Sequence, residues 1–109
     1  MKKADPSREA FERYAQLLKV CGHPMRLQIL FAFEKVENSC VKELWRCLGL
    51  SQPVVSQHLA VLKELGIVDA KTQKNRRIYS IVEPFVKDLI KALAGDKALK
   101  AFPVDSISD

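Results

Sequence analysis

Gln52, Ser56, Gln57 and His58 lie within one short stretch, SQPVVSQHLAVLKEL (residues 51–65), in which no acid precedes Glu64. Each of these side chains donates or accepts hydrogen bonds. Groups of this kind match the edges of bases in a DNA major groove: Gln pairs bidentately with adenine, Ser with several edges, and His with a base edge or a phosphate. Val54 adds an apolar surface suited to a thymine methyl. A second group follows in Lys71, Lys74, Arg76 and Arg77, again with no acid inside the run. These bases suit phosphates or a minor groove. The plainer alternatives are an ordinary amphipathic helix for the first group and, for His58, a partly buried residue packed against the preceding helix.

Three cysteines carry the remaining chemistry. An odd number at irregular spacing argues for free thiols in a reducing compartment and against a secreted disulfide framework. Cys40 and Cys47, read as residues of one helix, are separated by roughly 10 Å along its axis. That is too far to share a zinc-sized ion or to form a disulfide. Cys21 is set apart from them by a whole helix, and Cys21 and Cys47 read as small apolar core residues. Cys40 differs. In Cys40-Val41-Lys42-Glu43 it takes the place of a capping Ser, with Glu three residues on. Free N–H groups, the helix dipole and Lys42 there favour thiolate. Cys40 is therefore the candidate for sensing an oxidant, reactive sulfur or a soft metal. An enzyme is not expected. Cys21-Gly22-His23 places neighbours at a helix junction, which is no nucleophile–base geometry, and the chain has no glycine-rich phosphate loop.

These residues need elements to position them. Ser51 can cap a helix, Pro53 fits its first turn, and Val55, Leu59 and Leu62 turn one stripe inward. Upstream, VKELWRCLGL is a short helix pattern (Val41, Leu44, Leu48) ended by Gly49. Two helices joined by a short turn containing Gly form a helix-turn-helix. Downstream, Gly66 ends the second helix, and IVDAKTQKNRRIYSI predicts two strands around a turn near Lys74-Asn75, where Asn takes the left-handed conformation readily. A first helix starts near Asp5-Pro6-Ser7, with Phe11, Tyr14, Leu18 and Cys21 on one stripe and Leu17 beside it. Gly22 breaks it. A second starts at His23-Pro24 and is apolar nearly all round, as a central helix must be. Glu83-Pro84 starts a last helix, with Phe85, Leu89, Ile90 and Leu93 on one face and Gly95 at its end. The expected fold is mainly α, a winged helix-turn-helix of about five helices and a two-stranded β-hairpin wing. It forms one domain over residues 1–100, followed by a mobile tail, 101–109, that lacks periodicity.

The chain has 109 residues, 48% of them apolar, which suits one domain with a modest core. No apolar run approaches the ~20 residues of a membrane span, and no signal peptide opens the sequence. A cytoplasmic protein without membrane contact is expected. The net charge of +5 is uneven: residues 51–82 hold five bases against two acids, and 83–109 hold four against five. Positive charge thus collects where phosphates would lie. The first and last helices carry more apolar surface than so small a core covers, which predicts a homodimer joined through them.

The stretch VKELWRCLGLSQPVVSQHLAVLKELGIVDAKTQKNRRIYSI (residues 41–81) strongly resembles the ArsR/SmtB family of small bacterial repressors, most specifically in SQPVVSQHLAVLKELGIV. The resemblance runs from about Phe11 to Leu93. HPMRL, residues 23–27, matches the family's cap-Pro-x-Arg-Leu start, with His23 in the place of Asp or Asn. It implies a two-fold dimer that binds double-stranded DNA at a palindromic operator and is released by an effector. The family's Cys-x-Cys metal site is matched only at Cys40, with Lys42 in place of the second cysteine. Its other site uses Asp and His on the last helix, where residues 84–100 hold no His. The metal is thus left unassigned, and a thiol-bound metal or metalloid is the cofactor type left open. The family commonly has Gly in the wing's turn, so the turn type here is open too. Two rivals stand beside this reading: a repressor of the same type with no effector site, and a winged-helix module that docks a protein instead of DNA. A protein-docking face would show exposed aromatics, for which only Trp45 is a candidate, and the acid-free Lys71–Arg77 segment favours DNA.

Overall fold

The computed structural model describes residues 6–35, 46 and 48–96, together with the backbone of 39–40. Helix α1 spans Pro6–Cys21 and α2 spans Pro24–Lys35. Between them His23 accepts a hydrogen bond at Nδ1 from the Met25 N–H, 3.1 Å, so a histidine caps α2 where Asp or Asn is usual. Ile29 to Phe33 are all buried, and α2 packs against α1 and against residues 52–64, 76–81 and 84–94. Its all-round apolar sequence is that of a central helix, as expected.

Strand β1 (Ser39–Cys40), helix α3 (Gln52–Glu64), strands β2 (Val68–Gln73) and β3 (Arg76–Ile81), and helix α4 (Pro84–Ala94) complete the described elements. Four helices are thus described. Arg46 and Leu48 are also helical, and the rest of the helix expected over 41–48 lies outside the described residues, as does the tail 101–109. α4 opens on Glu83, whose Oε2 accepts from the Val86 N–H at 2.8 Å, and stops at Gly95.

The expected two-stranded hairpin is β2 and β3, and β1 adds to it as a third antiparallel strand in the order β1-β3-β2. Ser39 pairs with Tyr79 and Cys40 with Ile78, so Cys40 sits in a strand beside the hairpin where a helix start was expected. Two residues are too few to show a strand period in sequence, and among the described residues their pairing partner is the distant β3. The register Val68↔Ile81 through Gln73↔Arg76 puts Val68 and Ile81 in the core and leaves the far end of the hairpin in solvent.

One expected stripe divides. Leu17 and Cys21 are buried, whereas Phe11, Tyr14 and Leu18 remain 73%, 43% and 47% exposed. The reason is angular: residues 17 and 18 lie ~100° apart around a helix, so two neighbouring stripes run along α1, one facing the core and one facing out. Cys21 is a free thiol, and its pKa is raised by burial and by Glu83, against a smaller opposing effect of Arg26. That environment keeps it protonated and unreactive.

Candidate nucleic-acid interface

α3 is held on one side and open on the other. Ser51 adopts extended backbone (φ −76°, ψ 151°) and its Oγ accepts from the Val54 N–H, 3.4 Å away. Val55, Leu59 and Leu62 are essentially fully buried, each stabilising the docked helix by about 1.5–3 kcal/mol. Gly49, at φ +68°, makes the turn into the helix, and Gly66, at φ +74°, makes the turn out; both need the left-handed backbone that glycine adopts without strain. Gln52, Ser56 and Gln57 are exposed, and Val54 is half-buried at the edge of the same surface. Of the five residues expected to read bases, three are exposed and two, Val54 and His58, are half-buried.

His58 is tied to the body of the protein by its side chain. It is half-buried, its Nδ1 accepts from Arg26 Nε at 3.2 Å, and its ring centroid lies 4.7 Å from that of His23. Burial first, then the charges of His23 and Arg26, push its pKa down. Any contact with DNA is left to its Nε2. At the end of the helix, Arg13 Nη2 donates to the Leu65 carbonyl at 3.0 Å, satisfying a carbonyl that the finished helix leaves without a partner. Arg13 and Arg26 are therefore residues of this site that the sequence reading did not single out. Arg26 lay inside the recognisable HPMRL start, but nothing in its spacing points to residue 58.

The wing follows directly. Lys74 and Asn75 both have positive φ, 47° and 71°, in a two-residue turn between β2 and β3, which is a type I′ hairpin. Asn suits that conformation, whereas a left-handed Lys costs about 1–2 kcal/mol. Lys71, Lys74, Arg76 and Arg77 are all exposed. Alternation along the strands puts Lys71 and Arg76 on one face of the hairpin. Arg77 lies on the other, with its guanidinium 5.8 Å from the Tyr79 ring centroid. Tyr79 in turn stacks almost parallel on Phe33 of α2, 6.0 Å between centroids. Arg77 is thus backed by an aromatic column reaching into the body.

An exposed, uncharged, hydrogen-bonding helix flanked by a basic hairpin suits DNA. Comparison with known proteins agrees. The family model described as bacterial regulatory protein, arsR family, matches residues 23–70. An HTH-type transcriptional regulator of Methanocaldococcus jannaschii is 37% identical over 83 residues, which is 76% of this chain and 93% of that protein. The chain belongs to the ArsR/SmtB family. The biofilm growth-associated repressor of Xylella fastidiosa is 37% identical over 93 residues, 85% of this chain and 80% of that one. The crystal structure of the transcriptional repressor BigR from Xylella fastidiosa superposes with a TM-score of 0.76 at 29% identity, covering 87% of this chain and 93% of that one. As an ArsR-family protein this chain is a DNA-binding transcriptional repressor with a winged helix-turn-helix, and its relatives are regulators, not enzymes. Among the described residues no helix is long and apolar enough to cross a membrane.

Proposed function

We propose that this chain represses transcription in the cytoplasm as a homodimer on a palindromic operator. Gln52, Val54, Ser56 and Gln57 read base edges, His58 approaches DNA through Nε2, and Lys71, Lys74, Arg76 and Arg77 hold phosphates. The observation that carries this reading is the shared exposure of Gln52, Ser56 and Gln57 on α3 beside the four wing bases. A DNA-bead pull-down in low and high salt tests it against the protein-docking alternative: retention at low salt, lost at high salt, is expected, and no retention at either contradicts it.

The dimer is supported by the outward stripe of α1. Phe11, Tyr14 and Leu18 are exposed on that stripe, and Tyr14 lies against Phe85 of α4, 4.7 Å between centroids. Next to it an apolar hollow of about 220 Å³ is lined by Leu18, Cys21, Gly22, Leu27, Leu89 and Leu93. Such a continuous apolar face joining the two helices suits a self-complementary partner. Paired through it, two protomers can present their α3 helices to successive major grooves.

Release by a thiol-reactive effector at Cys40 is the second part of the proposal. The Cys40 side chain lies outside the described residues, but its backbone pairs with Ile78 of β3, the strand that carries Arg76 and Arg77. A modification or a soft metal at Cys40 therefore acts on the wing through one shared strand. Cys40→Ser should bind the operator and no longer release it with oxidant, polysulfide or arsenite. If wild type ignores all three reagents, the repressor has no thiol effector site.

A further inference from the structure

The junction of α1 and α2 holds a polar cluster that neither the exposed face of α3 nor the wing accounts for. Arg26, in the first turn of α2, donates from Nε to His58 Nδ1 at 3.2 Å and from Nη1 to the Val20 carbonyl at 3.3 Å. Val20 is in the last turn of α1, where carbonyls lack a helical partner and the dipole favours a cation. One guanidinium thus ties the end of α1 to the middle of α3. His23 completes the cluster, its Nδ1 accepting from the Met25 N–H and its ring packed on that of His58 at a 53° tilt. Because Nδ1 of His58 is the acceptor for Arg26, its ring is held with the proton on Nε2.

We propose that Arg26 and His23 are positioning residues for DNA recognition, holding His58, and through it α3, in reading orientation while His58 is neutral and releasing it when His58 is protonated. This rests on the base-reading role proposed for α3 and adds a proton to its control. Protonation removes the acceptor that Arg26 uses and sets an imidazolium against a guanidinium. The groups acting on His58 all oppose that charge: burial, His23 and Arg26. Elsewhere on the elements around it, Lys63 and Glu64 are exposed more than a turn further along α3. Asp69 of β2 accepts from the Ala70 N–H at 2.8 Å. Among the described residues, no carboxylate is one of the groups that act on His58.

The sign of the pH effect separates this from a simpler role. An imidazole that touches phosphate would strengthen binding in acid, since each added cation neutralises a phosphate. A positioning imidazole weakens sequence-selective binding in acid and leaves random DNA bound. The test uses the full chain and two duplexes, one selected on the wild type from a random-sequence library and one unselected. Fluorescence anisotropy gives both affinities at about pH 7.5 and about pH 5.5, a unit either side of an ordinary imidazole pKa. The wild-type ratio of selected to unselected affinity should fall several-fold at the lower pH, with a ceiling of about tenfold per subunit. In His58→Gln the amide oxygen can still accept from Arg26 but does not titrate, so its ratio, whatever its size, should be the same at both pH values. Arg26→Gln should lose most of the ratio already at the higher pH. Since that variant also loses a structural contact, the imidazole ¹H–¹⁵N spectrum of wild type is read in parallel and should show His58 Nδ1 unprotonated. A wild-type ratio indifferent to pH, a His58→Gln ratio that falls as steeply as wild type, or a His58 protonated at Nδ1 at the higher pH overturns the proposal and leaves DNA reading intact. Absence of salt-dependent binding to every duplex overturns DNA reading itself, and this proposal with it.

Discussion

Raising salt fourfold, from about 50 to about 200 mM, should cost this repressor most of its DNA affinity. Each subunit exposes four wing bases, Lys71, Lys74, Arg76 and Arg77, so a dimer offers twice that number. With all of them on phosphate, log K falls against log salt with a slope of about −7, and the fourfold step weakens binding by roughly 10⁴. The structure also sets a lower figure. Arg77 already lies over the Tyr79 ring, and if it stays there in the complex the slope is about −5 and the loss roughly 10³. Replacing Arg76 and Arg77 by Ala leaves Lys71 and Lys74, with a slope of about −3.6 and a loss near 10². Fluorescence anisotropy on one labelled duplex, titrated at several salt concentrations, measures both slopes. A wild-type slope shallower than about −2, or a double mutant with the wild-type slope, would refute the assignment of the wing to phosphate.

Gln57→Ala should weaken a selected duplex by roughly 1–3 kcal/mol, the worth of a bidentate base contact, and leave an unselected one nearly unchanged. The Arg76/Arg77 pair should weaken both alike; equal losses for Gln57→Ala on the two duplexes would remove it from base reading. Leu18→Glu places a charge on the outward stripe of α1 and should sediment as a monomer where wild type is a dimer. If it sediments as wild type, the interface lies elsewhere. His58 also makes stability depend on pH. Its folded pKa is lowered, so the folded state binds fewer protons than the unfolded one and stability rises with pH. The stabilisation is present above the unfolded value of about 6.5 and is lost as pH falls through the folded one. Thermal melts of His58→Gln across that window should show a flatter dependence than wild type, and parallel curves would contradict the shift.

The features legible in sequence are those set by local rules. Ser51 and Pro53 announce α3, Val55, Leu59 and Leu62 fix which side is buried, and Gly49 and Gly66 mark both its turns. Glu83-Pro84 marks α4 in the same way. The hidden features depend on residues far apart in the chain. β1 is two residues long and exists through its pairing with β3. The division of α1 into a buried and an outward stripe turns on which of two adjacent leucines enters the core, and Leu17 does while Leu18 stays half exposed. Lys74 at a left-handed position carries no sequence signal, because the hairpin register imposes the turn. The same holds at the site: exposure of Gln52, Ser56 and Gln57 follows from helical period alone. The grip of Arg13 on Leu65 and of Arg26 on His58 spans 52 and 32 residues, beyond the reach of any local pattern.

The central claim is that two α3 helices of a dimer read DNA together. Hydroxyl-radical footprinting of the wild-type protein on a duplex selected from a random library measures this most directly. Two protected patches on one face of the duplex are expected, their centres about 10–10.5 base pairs or a multiple apart, related by a palindrome. Both should need a higher protein concentration in Gln57→Ala, and weaken together. A single patch, protection without two-fold symmetry, or no protection at low salt would contradict it.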